Sequence, residues 1–254
     1  MLGDDELERY ARHLVLREVG GAGQARLKAA MVVVIGAGGI GSPALQYLAA
    51  AGVGRLRIVD DDRVDRSNLQ RQTLFVTVEI GLSKAATAGE RLLAMNPHVT
   101  IDPHCVRIDA ANAATLLDGA DLVLDGSDNF ATRLAVSDAS YALRIPLVSA
   151  AIGQFHGQVA TWRGWEDGQP CYRCYVGDAF DAEDCDSCAE DGVLGAMTGI
   201  IGSFAALEAI RALVGFGEAA SGRLHLFDGH APAMRTVRMP KDPACETCGT
   251  VNAL

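Results

Sequence analysis

The sequence predicts an α/β fold: a doubly wound, largely parallel sheet extended by antiparallel strands. Three observations predict it. Apolar or β-branched runs alternate with helical patterns as far as Gly153, the mark of parallel strands with helices on both faces. A glycine-rich turn, Gly36-Ala37-Gly38-Gly39-Ile40-Gly41, follows the first strand-like run. After Gly153 the alternation stops and turn-rich, strand-like segments take over. The 254 residues suit one large domain or two small ones. With no long linker and no internal repeat, we expect a single domain over 1–254, comprising a helical arm (1–30), a first half (31–153) and a second half (154–254).

The elements follow in order. Glu6–Val19 reads as an amphipathic helix with Leu7, Tyr10, Leu14 and Val15 on one face. Met31–Ile35 is wholly apolar and β-branched, as strands buried on both faces are. Ile40–Ala51 is an alanine-rich helix, and Arg55–Asp60 is the second strand, ending in Asp60-Asp61-Asp62. Ser83–Met95 is a helix with Ser83 as N-cap and Pro97 as its stop. Val99–His104 is a strand, Ala110–Leu117 a short helix, Asp121–Asp125 a strand, Thr132–Leu143 a helix and Pro146–Ala150 a strand. In the second half, Gly157–Arg163 reads as a strand. Asp178–Asp191 is acidic and, Phe180 apart, lacks large apolar residues, so it reads as a mobile surface loop. A helix over Val193–Val214 and a closing strand pair, Arg223–Phe227 and Met234–Met239, complete the chain.

Composition narrows the function. Hydrophobic residues make up 49%, enough for a substantial core, and the net charge of −10 comes with no Lys/Arg block. Nucleic acid is therefore not expected as a main partner. The acidic start lacks the basic and apolar parts of a secretory signal. The longest near-apolar run, Val193–Leu207, is broken by glycines, Thr198 and Ser203 and falls short of the roughly 20 residues of a membrane span. No membrane role is expected, and the compartment is expected to be the reducing cytoplasm. There, seven cysteines suit metal ligation or thiol chemistry better than disulfides.

The Gly36–Gly41 turn fits a dinucleotide fingerprint: glycines permit the tight bend and let backbone N–H groups approach a phosphate at a helix N-terminus. Asp60 ends the next strand, where an acidic side chain holds ribose hydroxyls. This alone does not separate NAD from ATP, although the missing G-x-x-x-x-G-K-[ST] pattern excludes a P-loop. The segment Asp65-Arg66-Ser67-Asn68-Leu69-Gln70-Arg71-Gln72 favours a triphosphate. Arg71 offers a planar fork of donors, Asn68 and Gln72 neutral polar contacts, and Lys84 a point charge. Each basic residue also has the commoner fate of a solvated surface charge. Asp128, in Asp125-Gly126-Ser127-Asp128-Asn129, is a natural Mg²⁺ ligand at the carboxyl end of a strand, or an N-cap for the helix near Thr132.

Six cysteines form three Cys-x-x-Cys pairs: Cys171/Cys174, Cys185/Cys188 and Cys245/Cys248. A Cys₄ zinc site needs two of them, and on spacing alone Cys171/Cys174 with Cys185/Cys188 makes a compact loop site. Cys105 reads as a core filler, and the six histidines show no ligand spacing.

Taken together, Gly-x-Gly-Gly-x-Gly, Asp60, Ser67–Gln72, Lys84 and Asp125-x-x-Asp128-Asn129 resemble the MoeB/ThiF/HesA family, the bacterial relatives of ubiquitin-activating enzyme. Arg9-Tyr10-Ala11-Arg12 resembles the family's N-terminal helix motif, and the likeness runs from about Glu8 to Gly249 in the family's order. The resemblance implies a Rossmann-like adenylation domain with a nucleotide-binding half (31–153) and a carrier-binding and zinc half (154–254). It implies adenylation by Mg·ATP of the C-terminal glycine of a ubiquitin-like sulfur carrier (MoaD- or ThiS-like), releasing pyrophosphate, in molybdopterin or thiamin biosynthesis. Nucleotide contacts would come from Gly39, Gly41, Asp60, Asp62, Ser67, Asn68, Leu69, Gln70, Arg71, Gln72, Lys84, Asp128 and Asn129. Arg71, Lys84 and Asp128, the magnesium ligand, would serve catalysis. Arg12 would reach into the neighbouring site of a homodimer. The resemblance favours zinc on Cys171, Cys174, Cys245 and Cys248. Cys188 then matches a loop cysteine of the later sulfur step, and Cys185 departs from the pattern. No rhodanese-like segment follows Gly249, so a separate sulfur donor of cysteine desulfurase or rhodanese type is expected. Two rival readings are an NAD-dependent oxidoreductase and a catalytically silent carrier-binding scaffold.

Overall fold

The computed structural model describes residues 2–177 and 192–249. The expected loop 178–191, with Cys185 and Cys188, lies outside them. One eight-stranded sheet organises the molecule, in the order β3-β2-β1-β4-β5-β6-β7-β8. Its parallel part comprises β1 (Met31–Ile35), β2 (Arg55–Val59), β3 (Thr100–His104), β4 (Leu122–Asp125) and β5 (Leu147–Gly153). Strands β6 (His156–Trp162), β7 (Arg223–Asp228) and β8 (Ala233–Arg238) continue it antiparallel. The expected sheet is thus observed, with boundaries shifted by a residue or so; β5 runs three residues past Ala150.

All five residues of β1 are buried because both faces of the sheet are covered. Successive side chains alternate between the faces. Val32 and Val34 join Leu45, Leu48 and Leu92 from α4 (Gly41–Ala50) and α5 (Lys84–Met95). Val33 and Ile35 join Leu117 and Val136 from α6 (Ala113–Leu117) and α7 (Phe130–Leu143). A short helix, α8 (Tyr172–Val176), packs on the second face beside Trp162.

The last helix, α9 (Gly195–Val214), is 20 residues long. By length and composition it reaches what a membrane span needs, where the broken apolar run had suggested a shorter element. Here Met197, Ile201, Ala205, Ala206 and Ala209 are buried, and the helix packs against α4 and β5 as the expected core element.

The N-terminal arm departs from expectation. The single helix over Glu6–Val19 is instead α1 (Asp4–Arg9) and α2 (Ala11–Leu14), broken at Tyr10. Of the expected apolar face only Tyr10 is buried; Leu7 and Val15 are exposed. Tyr10 turns inward because its hydroxyl accepts a 2.9 Å hydrogen bond from the fully buried Asn96. A third helix, α3 (Gly20–Ala29), was not expected: its three glycines disfavour helix, and tertiary packing of Gln24 and Leu27 decides the matter. Cys105 is exposed, not core, with its Sγ 2.9 Å from Ser83 Oγ.

Candidate active site

The strand order reverses between β1 and β4, the point at which open α/β sheets bind ligands beyond their carboxyl ends. A cleft of about 380 Å³ opens there. Its floor is the glycine turn. Gly36 holds φ of +83°, which favours glycine, and a side chain at Gly41 would put its Cβ 1.8 Å from the Gly36 carbonyl oxygen. Gly39 is crowded more gently: its Cβ would meet Thr198 Cγ2 at 2.9 Å.

Asp60 braces this floor. Its carboxylate accepts hydrogen bonds from the backbone N–H groups of Ala37 (2.7 Å) and Asp62 (2.8 Å). Burial pushes its carboxyl up from the ordinary value, while Lys84 and those two N–H groups pull it back. Lys84, the first residue of α5, is buried and points to the cleft, where Nζ meets the exposed Asp62 carboxylate at 2.8 Å. The N-cap of α5 is Ser83, as expected.

Arg71, Gln72, Asp128 and Asn129 complete the expected residues that line the cleft, with Gly39, Asp60, Asp62 and Lys84. Arg71 is braced by a bond from its Nη1 to the Ser67 carbonyl (3.0 Å). Gln72 is buried and its Oε1 has no hydrogen-bond partner, as is true of the Ser127 hydroxyl nearby. Both are polar atoms of the kind a polar ligand satisfies. Asp128 lies exposed at the mouth and makes no hydrogen bond or ion pair among the described residues. It is not the helix cap: Asn129 Oδ1 caps α7 by accepting from Thr132 N at 2.9 Å. A free carboxylate beside a phosphate-sized cleft suits Mg²⁺, which takes one or two carboxylates along with phosphate oxygens.

Other expected residues are elsewhere. Ser67, Asn68, Leu69 and Gln70 do not line the cleft; they build the turn behind it. The Ser67 hydroxyl and N–H both donate to Asp65, which holds that carboxyl below its ordinary value. Leu69 packs on the core, and Gly41 lies beneath the cleft's floor. Arg12 is exposed on α2 and does not line its own chain's cleft. Sequence reasoning missed Val106, Arg107 and Ile108 after β3, Arg133 on α7 and Thr198 on α9, all of which line the cleft. They carry no motif; only the topology brings them together.

A wider groove of about 800 Å³ lies over β5, β6 and β7, lined by Gln154, His156, Gln158, Phe227 and Arg235 among others. Ile152 lines both spaces, so the groove adjoins the cleft at that residue.

The cysteines gather at the far edge of the second half. The Sγ atoms of Cys171, Cys174, Cys245 and Cys248 all lie within 4.8 Å of one another. Cys171–Cys174 is 3.9 Å, Cys171–Cys245 3.6 Å and Cys174–Cys248 3.3 Å. A tetrahedral zinc with bonds near 2.3 Å needs sulfur–sulfur edges of about 3.8 Å, so this donor set fits that ion. Hydrogen bonding from Cys171 draws the Cys174 thiol down to about 5, and the same contact pushes Cys171 up. The pairing joins residues 74 apart, stitching the tail to α8.

Comparison with known proteins places this geometry. The ThiF family model matches residues 10–247. The sulfur carrier protein adenylyltransferase of Thermus thermophilus is 46% identical, over 96% of this chain and 92% of its own length. The SAMP-activating enzyme E1 of Haloferax volcanii is 44% identical, over 96% and 89%. Adenylyltransferase and sulfurtransferase MOCS3 of Drosophila grimshawi is 44% identical over 97% of this chain, which spans 55% of that longer protein. Among solved structures, E. coli MccB with ATP superposes with a TM-score of 0.80 at 21% identity, over 97% of this chain and 75% of that one, a likeness of fold.

Proposed function

The chain belongs to the ThiF family, and from that premise we propose that it is an adenylyltransferase that uses ATP to activate the C-terminal glycine of a ubiquitin-like sulfur carrier. The junction of the two clefts carries this reading. A nucleotide in the smaller space would lie, at Ile152, beside a groove of about 800 Å³ that we assign to the carrier's extended tail. A small-molecule oxidoreductase has no use for such a groove, and Arg71, Lys84 and Asp128 exceed what hydride transfer requires. A silent scaffold would be expected to have lost those charges.

The chemistry follows from the residues. The carrier's terminal carboxylate attacks the α-phosphorus of ATP; the bond to the β-phosphate oxygen breaks, giving acyl-adenylate and pyrophosphate. The glycine turn admits the phosphates close to backbone N–H groups, and Asp60 faces the ribose. Lys84 and Arg71 stabilise negative charge as it passes to pyrophosphate; being fixed in advance, they need little reorganisation in the transition state. Asp128 and its neighbours would hold Mg²⁺, which when bound neutralises phosphate charge. The four cysteines would hold zinc as a structural tie. A separate protein of cysteine desulfurase or rhodanese type would supply sulfur to the acyl group, in a molybdopterin or thiamin pathway, with Cys188 acting only at that stage. A reducing, cytoplasmic setting suits the five described cysteines, none of which is in a disulfide.

Carrier-dependent exchange between ATP and labelled pyrophosphate tests the reading. Exchange should require a carrier ending in glycine and vanish when that glycine is deleted. A melting shift with NAD and not ATP, or exchange indifferent to the carrier, would overturn it. Arg12 would act in trans within a homodimer, so mixing inactive Arg12→Ala with inactive Asp128→Ala should recover activity. No recovery after confirmed subunit exchange would place Arg12 outside the partner's site.

A further inference from the structure

The Asp128 side chain makes no hydrogen bond or ion pair among the described residues, so its position depends on the backbone that carries it. The preceding residue, Ser127, is pinned at both its N–H and its carbonyl. The Ser127 N–H donates to Asp125 Oδ1 at 2.9 Å, and Asp125 is itself buried at the end of β4. On the other side the Ser127 carbonyl, which belongs to the peptide bond leading into Asp128, accepts from Arg133 Nη2. The same nitrogen donates to the Ala150 carbonyl on β5 at 2.9 Å. One guanidinium thus staples the β4–α7 loop to the neighbouring strand. Arg133 is only 8% exposed, and a buried cation persists only where fixed partners compensate it.

The helix that carries Arg133 has a further tie, to α8. Tyr172 opens α8, directly after Cys171. The next residue, Arg173, forms a two-bonded pair with Asp138 on α7, at 2.8 Å for each bond. Asp138 and Arg133 sit on the same helix. The cysteine-bearing helix is therefore clamped to the helix that leads out of the Asp128 loop.

We infer that Arg133 is a positioning residue for Asp128. The inference rests on the adenylation reading, in which Asp128 carries the divalent cation. It assigns Arg133 no contact with substrate. Its effect is on how tightly Asp128 and the nucleotide together hold the cation, because supports of this kind typically alter metal affinity by about 10–100-fold.

The test uses the full-length protein with ATP and Mn²⁺, whose binding is read by water-proton relaxation without turnover. Arg133→Lys keeps the charge but loses the planar fork. It should weaken Mn²⁺ binding to the enzyme–ATP complex roughly tenfold. The Mg²⁺ needed for half-maximal pyrophosphate exchange should rise in parallel, with kcat at saturating Mg²⁺ within about threefold of wild type. ATP affinity without metal and zinc content should not change. Unchanged Mn²⁺ affinity in Arg133→Lys overturns the inference, and lowered metal-free ATP affinity does so too by marking Arg133 as a phosphate ligand. Should Arg133→Lys not fold, Arg133→Gln, which keeps an N–H donor without the charge, decides: unchanged Mn²⁺ affinity there refutes it. Wild-type protein that shows neither exchange nor ATP-dependent Mn²⁺ binding refutes the adenylation reading instead. An inactive Asp128→Ala beside a normal Arg133→Lys refutes only this one.

Discussion

The nucleotide cleft and the cysteine cluster assemble side chains in opposite ways. The cleft draws short groups of residues from the glycine turn, the ends of β2 and β3, the start of α5, the β4–α7 loop and α9. No two of those segments are close in the chain, and only the parallel topology makes them neighbours. The cluster uses two local pairs, each three residues apart, and needs one long-range contact to close. Topology builds a site whose frame survives loss of any one polar side chain, since the strands remain. A cluster of four thiols acting as zinc ligands would instead need every side chain, since three thiolates do not replace four.

The largest expected effect breaks the cluster. Cys174→Ser or Cys248→Ser should remove about one zinc per chain, a site whose apparent binding free energy is on the order of 10 kcal/mol or more. Hydrogen exchange over 241–249 should then rise sharply while β1–β4 stays protected. Zinc retained in either variant, or lost in Cys185→Ser or Cys188→Ser instead, would reassign the ligands. The cleft should answer differently. Lys84→Ala should suppress carrier-dependent exchange by about 100-fold, equivalent to roughly 3 kcal/mol of transition-state stabilisation. Its melting temperature should barely move, because the ammonium pairs with an Asp62 that is already solvated. A Lys84→Ala protein that unfolds, or that exchanges normally, would contradict the separation of chemistry from fold.

This contrast also explains what the sequence disclosed. Local signals were legible: β1 matches its predicted limits residue for residue, the α5 cap is Ser83, and the glycine turn floors the cleft. The choice between cysteine pairings was not legible from spacing, since the closing contact is long-range. Arg133 and Arg107 were invisible because an arginine on a helix or after an edge strand reads as a surface charge. The N-terminal arm misled for a related reason. Its periodicity satisfied a helical template, but the buried Asn96 captures Tyr10 and breaks the helix, a tertiary contact that local pattern cannot report. Cys105 failed as a core residue because it directly follows β3, the sheet's edge strand, and is exposed there.

Within the cleft, two glycines of the same motif should separate. Gly41→Ala drives a methyl against the rigid Gly36 carbonyl and should destabilise the fold by up to about 3 kcal/mol. Gly39→Ala meets side chains and not backbone, Thr198 Cγ2 at 2.9 Å and Arg71 Cδ at 3.7 Å, so it should stay folded and lose ATP affinity instead. Chemical denaturation and ATP titration of both variants would show this. Equal destabilisation would mean that the turn tolerates neither, and that its glycines serve the backbone alone.

The smallest effect concerns how the first half ties its own edge without metal. Strands β2 and β3 pair in parallel with Arg57 opposite Asp102, and Asp102 accepts from both Arg57 and Arg55 at 2.9 Å. Burial raises the Asp102 carboxyl, but the two arginines outweigh it and hold the group below its ordinary value. A carboxyl whose folded value is depressed stabilises the protein above the unfolded value, near 3.9, and loses that contribution as pH falls through the folded one. Asp102→Asn should therefore lower stability at pH 7 by about 1 kcal/mol, the scale of a partly exposed ion pair. The deficit should shrink below about pH 4 and in high salt. A deficit that is constant from pH 7 to acid would mean that Asp102 acts through packing, and that the first half's edge is held by shape and not by charge.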